Sequence, residues 1–399
     1  MSAQAVHDHG NGPWWLHPAR LFDGQRWRRN IALRIARSRI TDIAPPSAAP
    51  ADEPVLTSRY ALSPGFFDVQ VNGGGGALFN NAAMPATLAT IGAAHARTGT
   101  TAWLPTLITD TPDTLDRGVD AVIATLGKHG VVGMHIEGPH INVARKGTHS
   151  ARLIRPFDDR TLGSLRRLRE NGVPTLLTLA PELAPQGLIA QLRSMGIVIS
   201  AGHTAATAVD IERAFKEGLS CFTHLHNAMT PMTSREPGVV GAALDSNAYV
   251  GIIVDGHHVS DTMVRITLRA HPTRDRCFVV SDAMATVGGP DAFVLYGETI
   301  RVDAGRLINA NGSLAGAHID MARSVARLVN EVGIASATAL AMATRIPAEM
   351  IGLTDGTGSI KPGGKANFVF LKTDCSVAGV MEDGEIPPTV AALLQRHCA

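Results

Sequence analysis

The sequence is poor in the features that mark several large classes of protein. Its four cysteines, Cys221, Cys277, Cys375 and Cys398, lie far apart and form no Cys-x-x-Cys pair. That excludes a disulfide framework and a thiolate zinc knuckle, and it suits a reducing compartment. An excess of one charge is also missing: 36 Lys plus Arg stand against 35 Asp plus Glu, a formal net charge of +1. Such a chain has no basic surplus with which to hold a nucleic-acid backbone or an anionic membrane. No apolar run approaches the roughly 18 residues of a membrane span. The start, MSAQAVHDHGNGPWW, has neither the basic opening nor the apolar stretch of a secretory signal. A cytoplasmic protein is expected, with no nucleic acid and no membrane among its partners. No Gly-x-Gly-x-x-Gly opens a helix after a first strand, and no Lys-Ser/Thr follows the run Gly73 to Gly76. Neither nucleotide-binding fingerprint is therefore present, and the glycines read as a tight turn.

What remains is a chain of 399 residues, 45% hydrophobic and 18% charged, able to bury a large core as two ordinary domains or as one barrel with an appendage. Short apolar runs rich in β-branched residues recur at 64–72, 101–108, 131–137, 174–181, 197–203, 220–224, 249–255 and 277–283. Such runs suit strands covered on both faces. Helical patterns separate them, as at 112–127, 207–218 and 260–271; the last two open on Thr207 and Ser260, which can cap a first turn. Eight strands with helices between them predict a (β/α)₈ barrel over 61–355, with an open doubly wound sheet as the competing architecture. The flanks alternate polar and apolar residues with period two. They predict a small β-sandwich domain built from both ends, 13–60 plus 356–399. The first dozen residues, polar and Gly-rich, are expected to be mobile.

The 16 histidines, many beside acidic residues, Gly or Asn, direct attention to metal chemistry. In a (β/α)₈ barrel the active site lies at the C-terminal strand ends. Taken strand by strand, that rim offers Asp68, Gln70 and Asn72, then His135 and Glu137, His203, His224, Asp255 with His257 and His258, and Asp282. Glu137, His203 and His224 supply one carboxylate and two imidazoles, a catalytic ligand set for a divalent ion with positions left open for water. Each alone also fits a satisfied polar residue at a loop. Asp282 can take a proton from water and pass it to a leaving amine; an N-cap for the segment that follows is an equal reading. His149, on the loop after the third strand, can polarise a carbonyl. Arg235 and His258 are candidates for an anionic group on a substrate, although Arg235 also reads as an ordinary surface arginine. His226 reads as a residue behind the ligands or in the pocket. His7, His9 and His397 read as solvated bystanders.

The segments PGFFDVQVNGGGG, GMHIEGPHIN, KGTHSARLI, SAGHTAAT, FTHLHNAMTPMTSREPG, IIVDGHHVS, VVSDAMATVGG and SLAGAHIDM follow one another along the chain. Together they resemble the N-acetylglucosamine-6-phosphate deacetylases of the amidohydrolase superfamily. The resemblance spans about 60–355. It implies metal-dependent hydrolysis of the acetamide of a phosphorylated amino sugar to acetate and the free amine, in amino-sugar catabolism. Carried over residue by residue, Glu137, His203 and His224 resemble the metal ligands, Asp282 the general acid/base, and His149 the histidine on the acetamide carbonyl. Thr148, Asn227, Ala228, Arg235, Asp255, Gly256, His257, His258, Leu314, Ala315 and Gly316 resemble substrate-binding positions. A homodimer is implied, with Arg235 reaching the neighbouring subunit's phosphate site. Where many superfamily members carry His-x-His, this chain has Gln70 and Asn72, and its fourth strand has no lysine. Neutral amides are poor ligands beside imidazole, so one divalent ion per chain is expected, zinc first, with iron, manganese or cobalt as alternatives. Gln70 and Asn72 then orient water or ligands by hydrogen bonding. His226 and His257 depart from related sequences near the expected sugar. N-acetylgalactosamine-6-phosphate deacetylation and nucleobase deamination are the neighbouring activities; a non-catalytic binding protein on a decayed barrel is the rival of another class.

Overall fold

The computed structural model describes residues 12–310 and 312–396, so the opening segment and His7, His9, His397 and Cys398 lie outside the described residues. Each apolar run forms a strand: Phe66–Val71, Thr100–Ile108, Met134–Glu137, Thr175–Leu179, Val198–Ala201, Cys221–Phe222, Tyr249–Ile253 and Cys277–Val280. They pair in parallel, each with the next in sequence. Every residue of Thr100–Ile108 and of Cys277–Val280 is buried, because these strands face the barrel interior on one side and helices on the other. The ring closes between its first and eighth strands. Val71 bridges Ala283 in parallel, and the Asn72 and Gly73 amides both donate to the Ala283 carbonyl. The buried Asp68 carboxylate reinforces this seam by accepting from the Gln70 and Ser281 amides at 3.1 and 3.3 Å. Closure of the ring answers the choice between barrel and open sheet.

The helices begin and end as their sequences direct. Thr207 accepts from Asp210 N, the Asp210 carboxylate accepts in return from Thr207 N, and Gly218 ends that helix at φ +111°. Ser260 caps Asp261–Ala270 by accepting from Met263 N. Among the described residues no helix is long and apolar enough to cross a membrane.

Both termini contribute to one continuous mixed sheet beside the barrel. Its backbone order runs through Val377–Met381, Phe368–Leu371, Val55–Pro64, Trp14–Phe22, Ala32–Ala36 and Arg39–Ala44. Period-two alternation divides its side chains between two cores. Phe368 and Phe370 pack with Leu16, Leu33 and Leu62 in the sheet's own core. Val369 and Leu371, one position along, join Phe22 and Ala61 in the barrel's. The sheet is therefore fixed to the barrel by apolar contact. A second small sheet, Ala292–Leu295, Glu298–Asp303 and Arg306–Ile308, follows the last barrel strand. It packs through Phe293, Leu295, Ile300 and Leu307 on Leu78, Ile108 and Met284, close to the C-terminal strand ends. Gly73 to Gly76 form the expected tight turn, pairing with Ala77–Leu78.

Candidate active site

Glu137 is the last residue of the third barrel strand, and His203, His224 and Asp282 each lie two positions beyond the ends of the fifth, sixth and eighth. These three leave their strands with φ of 49°, 33° and 50°. The left-handed region is costly for residues with a Cβ and persists where the surroundings enforce it, most often at functional sites. Glu137 Oε1 stands 3.2 Å from His203 Nε2 and 3.0 Å from His224 Nε2, and the two ring nitrogens are 3.0 Å apart. All three side chains are buried.

This triangle fits a metal ion on its own chemistry. His203 Nδ1 lies 2.9 Å from the Arg145 carbonyl oxygen, an acceptor only, so the neutral ring carries its proton on Nδ1. His203 Nε2 is then a bare lone pair directed at a carboxylate oxygen. Two acceptors and a second imidazole nitrogen meeting at van der Waals range repel unless a cation lies among them. Ligands at about 2.1 Å from one ion, at angles of 90–109°, sit roughly 3.0–3.4 Å apart. The donor atoms of Glu137, His203 and His149 also lie within 4.8 Å of one another, but the 3.0–3.2 Å triangle with His224 is the tighter set.

Gln70 and Asn72 lie beneath this triangle with their amide nitrogens turned to the carboxylates. Gln70 Nε2 is 3.1 Å from both Glu137 oxygens and 3.3 Å from Asp282 Oδ1. Asn72 Nδ2 donates to Asp282 Oδ1 at 2.7 Å. A polar chain runs deeper in the barrel: Thr106 Oγ1 to His135 Nδ1, His135 Nε2 to Thr178 Oγ1, then Thr223 and Ser200. His135 thus faces the interior, and burial lowers it to about 4. Burial pushes the Glu137 carboxyl up, but the His203 and His224 rings outweigh it and hold the group well below its ordinary value. The same carboxylate raises His224 against the effect of burial. Burial first, and the Glu137 charge second, push Asp282 up to about 6. Burial, then the neighbouring His203 ring, hold His149 well below its usual range.

A cavity of about 160 Å³ opens above the triangle, lined by Glu137, His203, His224, Asp282 and His149 with Thr148, Asn227, Ala228, His258, Leu314 and Gly316. Ile108, Gly147, Ile253 and Met284 complete it. Sequence reading missed these four, although Ile108 and Ile253 end barrel strands and strand-end position alone would have flagged them. Five expected positions do not line the cavity. Arg235 is on an exposed loop and His257 is exposed. Asp255 turns to His258, its Oδ2 2.6 Å from Nδ1. Gly256 lies under the Arg327 guanidinium, which a Cβ would meet at 2.2 Å. Ala315 is fully buried with the small sheet beside the cavity. His226 is corrected outright: its Nε2 bonds Thr267 Oγ1 at 2.7 Å, so the ring packs on the helix Asp261–Ala270 and does not face the cavity. Asp282 caps no helix, and its carboxylate points into the site.

Residues 61–390 match the model of the amidohydrolase family. The chain is 40% identical to the N-acetylgalactosamine-6-phosphate deacetylase of Shewanella sp. (strain ANA-3) over 342 residues, 84% of this chain and 86% of that protein. It is 38% identical to the N-acetylglucosamine-6-phosphate deacetylase of Haemophilus influenzae over 331 residues, 81% of this chain and 86% of that protein. Its structure is similar to that of the Pasteurella multocida N-acetylglucosamine-6-phosphate deacetylase, with a TM-score of 0.88 and 33% identity, covering 97% of this chain and all of the other.

Proposed function

The chain belongs to the amidohydrolase family, and from that premise we propose that it is a metal-dependent deacetylase of N-acetylglucosamine 6-phosphate, acting in amino-sugar catabolism. The observation that carries this reading is the buried triangle of Glu137 Oε1, His203 Nε2 and His224 Nε2, with the Asp282 carboxylate in the same small cavity. One divalent ion, zinc first, would be held by these three residues and supply an acidified water and a polarised acetamide carbonyl. The amides of Gln70 and Asn72 face carboxylates and are spoken for as donors, which supports a single ion.

Asp282 Oδ1 is engaged by Asn72 and Gln70, leaving Oδ2 to carry the proton. It accepts one from the water whose oxygen bonds to the acetamide carbon, and returns it to the nitrogen as the C–N bond breaks. Acetate and the free amine leave, so the atoms of amide and water are accounted for. His149 borders the cavity and would steady the negative charge that grows on the carbonyl oxygen. Thr148, Asn227, Ala228, His258, Leu314 and Gly316 would hold the sugar. Asp255 orients His258, while Gly256, His257 and Ala315 shape the adjacent loops.

Arg235 lies outside the cavity, which supports a role across a homodimer interface at a partner's phosphate. Exposed Val143, Leu183, Val209 and Met232 stand on the connections that follow four successive strands, Val209 in the first turn of the helix Ala208–Glu217. Glu182, which accepts from Asn142, Thr204 and Ala205, ties three of those connections together. Such an apolar rim suits burial against a second copy. Free, buried thiols at Cys221, Cys277 and Cys375 support a reducing, cytoplasmic setting. The N-acetylgalactosamine epimer is the second reading, favoured by the Shewanella relative's name. Acetate and ammonia release measured on both 6-phosphorylated N-acetyl sugars, their unphosphorylated forms and nucleobases tests the proposal. Acetate from the phosphorylated glucosamine derivative supports it; ammonia alone, or no product, contradicts it.

A further inference from the structure

Two imidazoles at the cavity, His149 and His203, have ring centroids 4.3 Å apart, yet their backs face opposite kinds of partner. His203 Nδ1 faces the Arg145 carbonyl, an acceptor. His149 Nδ1 faces Thr109, which directly follows the second barrel strand: the Thr109 backbone N–H points at Nδ1 at 3.4 Å, and its Oγ1 lies 2.6 Å away. A backbone N–H can only donate, so it disfavours a proton on the nitrogen it faces, and the freely rotating Thr109 hydroxyl, much closer, can add its own proton to the same lone pair.

We propose that Thr109 is a positioning residue that fixes His149 in the tautomer with its proton on Nε2, directed to the cavity. Among the described residues His149 Nε2 has no hydrogen-bond partner, so that N–H is free for a ligand. The two rings thus receive opposite tautomers from their backing groups. His203 offers a lone pair and can ligate a cation; His149 offers a donor and cannot. This explains why His149, with donor atoms within 4.8 Å of those of Glu137 and His203, stands outside the ligand set and is free to donate to an oxyanion.

Thr109 is itself held in place from two sides. The Tyr296 hydroxyl, in the turn between the first two strands of the small sheet that follows the eighth barrel strand, donates to the Thr109 carbonyl. Beneath it, a Cβ on Gly138 would come within 2.4 Å of Thr109 Oγ1, so the glycine after Glu137 leaves the room in which the hydroxyl sits. The small sheet is in this way connected to the donor state of His149 through one residue.

The inference rests on the deacetylase reading only for what the Nε2 proton does; the tautomer is a property of the protein alone. The test is ¹⁵N NMR of ring-labelled histidines in the zinc-loaded enzyme, with the His149 signals assigned by loss in His149→Gln. Wild type and Thr109→Ser should show the Nε2–H tautomer. Thr109→Val, left with the 3.4 Å contact alone, should populate both forms, and its kcat should fall about 10- to 100-fold with KM little changed. Thr109→Ser should recover most of the loss. An Nδ1–H tautomer in the wild type overturns the proposal, as does equal impairment of Thr109→Val and Thr109→Ser, which would mark a packing role. If Thr109→Val does not fold, the wild-type spectrum still decides. Failure of the deacetylase reading would appear separately, as absence of acetate from a wild type whose tautomer is as proposed.

Discussion

Asp282→Asn tests the proposed proton carrier with little disturbance of the site. Asp282 sits at φ +50°, a conformation asparagine tolerates better than alanine. Its Oδ1 accepts from Asn72 at 2.7 Å and from Gln70 at 3.3 Å. The asparagine carbonyl can keep both bonds while its NH₂ takes the open side, so shape and hydrogen bonding persist and only the basic oxygen is lost. Removing a positioned acid/base costs about 10²–10⁴ in kcat, or roughly 3–5 kcal/mol of transition-state stabilisation. Stability should move the other way. Burial and the Glu137 charge push Asp282 from 3.8 to about 6, so the fold disfavours its carboxylate, and stability is lost as pH rises from about 4 to about 6. The variant carries no charge to penalise. In chelator-treated protein it should be more stable than wild type above pH 6, by up to about 3 kcal/mol, and equal to it below pH 4. Acetate release, elemental analysis and thermal melts at two pH values make the comparison. Near-normal turnover in a metal-loaded variant would remove Asp282 from the mechanism, and loss of the metal would recast it as a ligand.

Three further substitutions probe the surroundings. Gln70→Leu removes the amide that bonds both Glu137 oxygens, so metal affinity should fall about 10- to 100-fold, read by competition with a chelator. Arg235→Ala should weaken the phosphorylated sugar far more than its unphosphorylated analogue, since a charge-assisted contact exceeds a neutral one; equal losses, or a strictly monomeric active enzyme, would count against the shared phosphate site. Gly138→Ala places a Cβ at φ +79° and 2.4 Å from Thr109 Oγ1. It should cost at least about 1 kcal/mol in stability for the backbone alone, and activity should fall further than stability because the new methyl displaces the hydroxyl behind His149.

The barrel could be read from the sequence because its strands are short apolar runs, several of which carry a polar residue at or just beyond the end. Glu137, His203, His224 and Asp282 are those polar residues, and periodicity alone brought them to one rim. The short sheet from Ala292 to Ile308 escaped notice because it interrupts the strand–helix rhythm after the eighth strand. Its apolar residues, Phe293, Leu295 and Ile300, bury against the rim and not in the barrel. Thr109 and Tyr296 escaped for a different reason. Their contribution is a hydrogen bond to a ring 40 residues away and another between the two of them across 187 residues, and no local pattern encodes either. His226, read as lying behind the ligands or in the pocket, turns instead to Thr267. The strand stops at Phe222, and with φ of 33° at His224 and 80° at His226 the alternation of a strand no longer applies.

Titration of zinc into chelator-treated, dialysed enzyme, with acetate release from N-acetylglucosamine 6-phosphate as the readout, tests the central claim most directly. Activity should be negligible without metal, rise linearly and level off at one equivalent per chain, and fail to appear in His203→Ala or His224→Ala at any zinc concentration. Full acetate release without metal, or activity that follows a second tightly held equivalent, would contradict a single ion held by Glu137, His203 and His224.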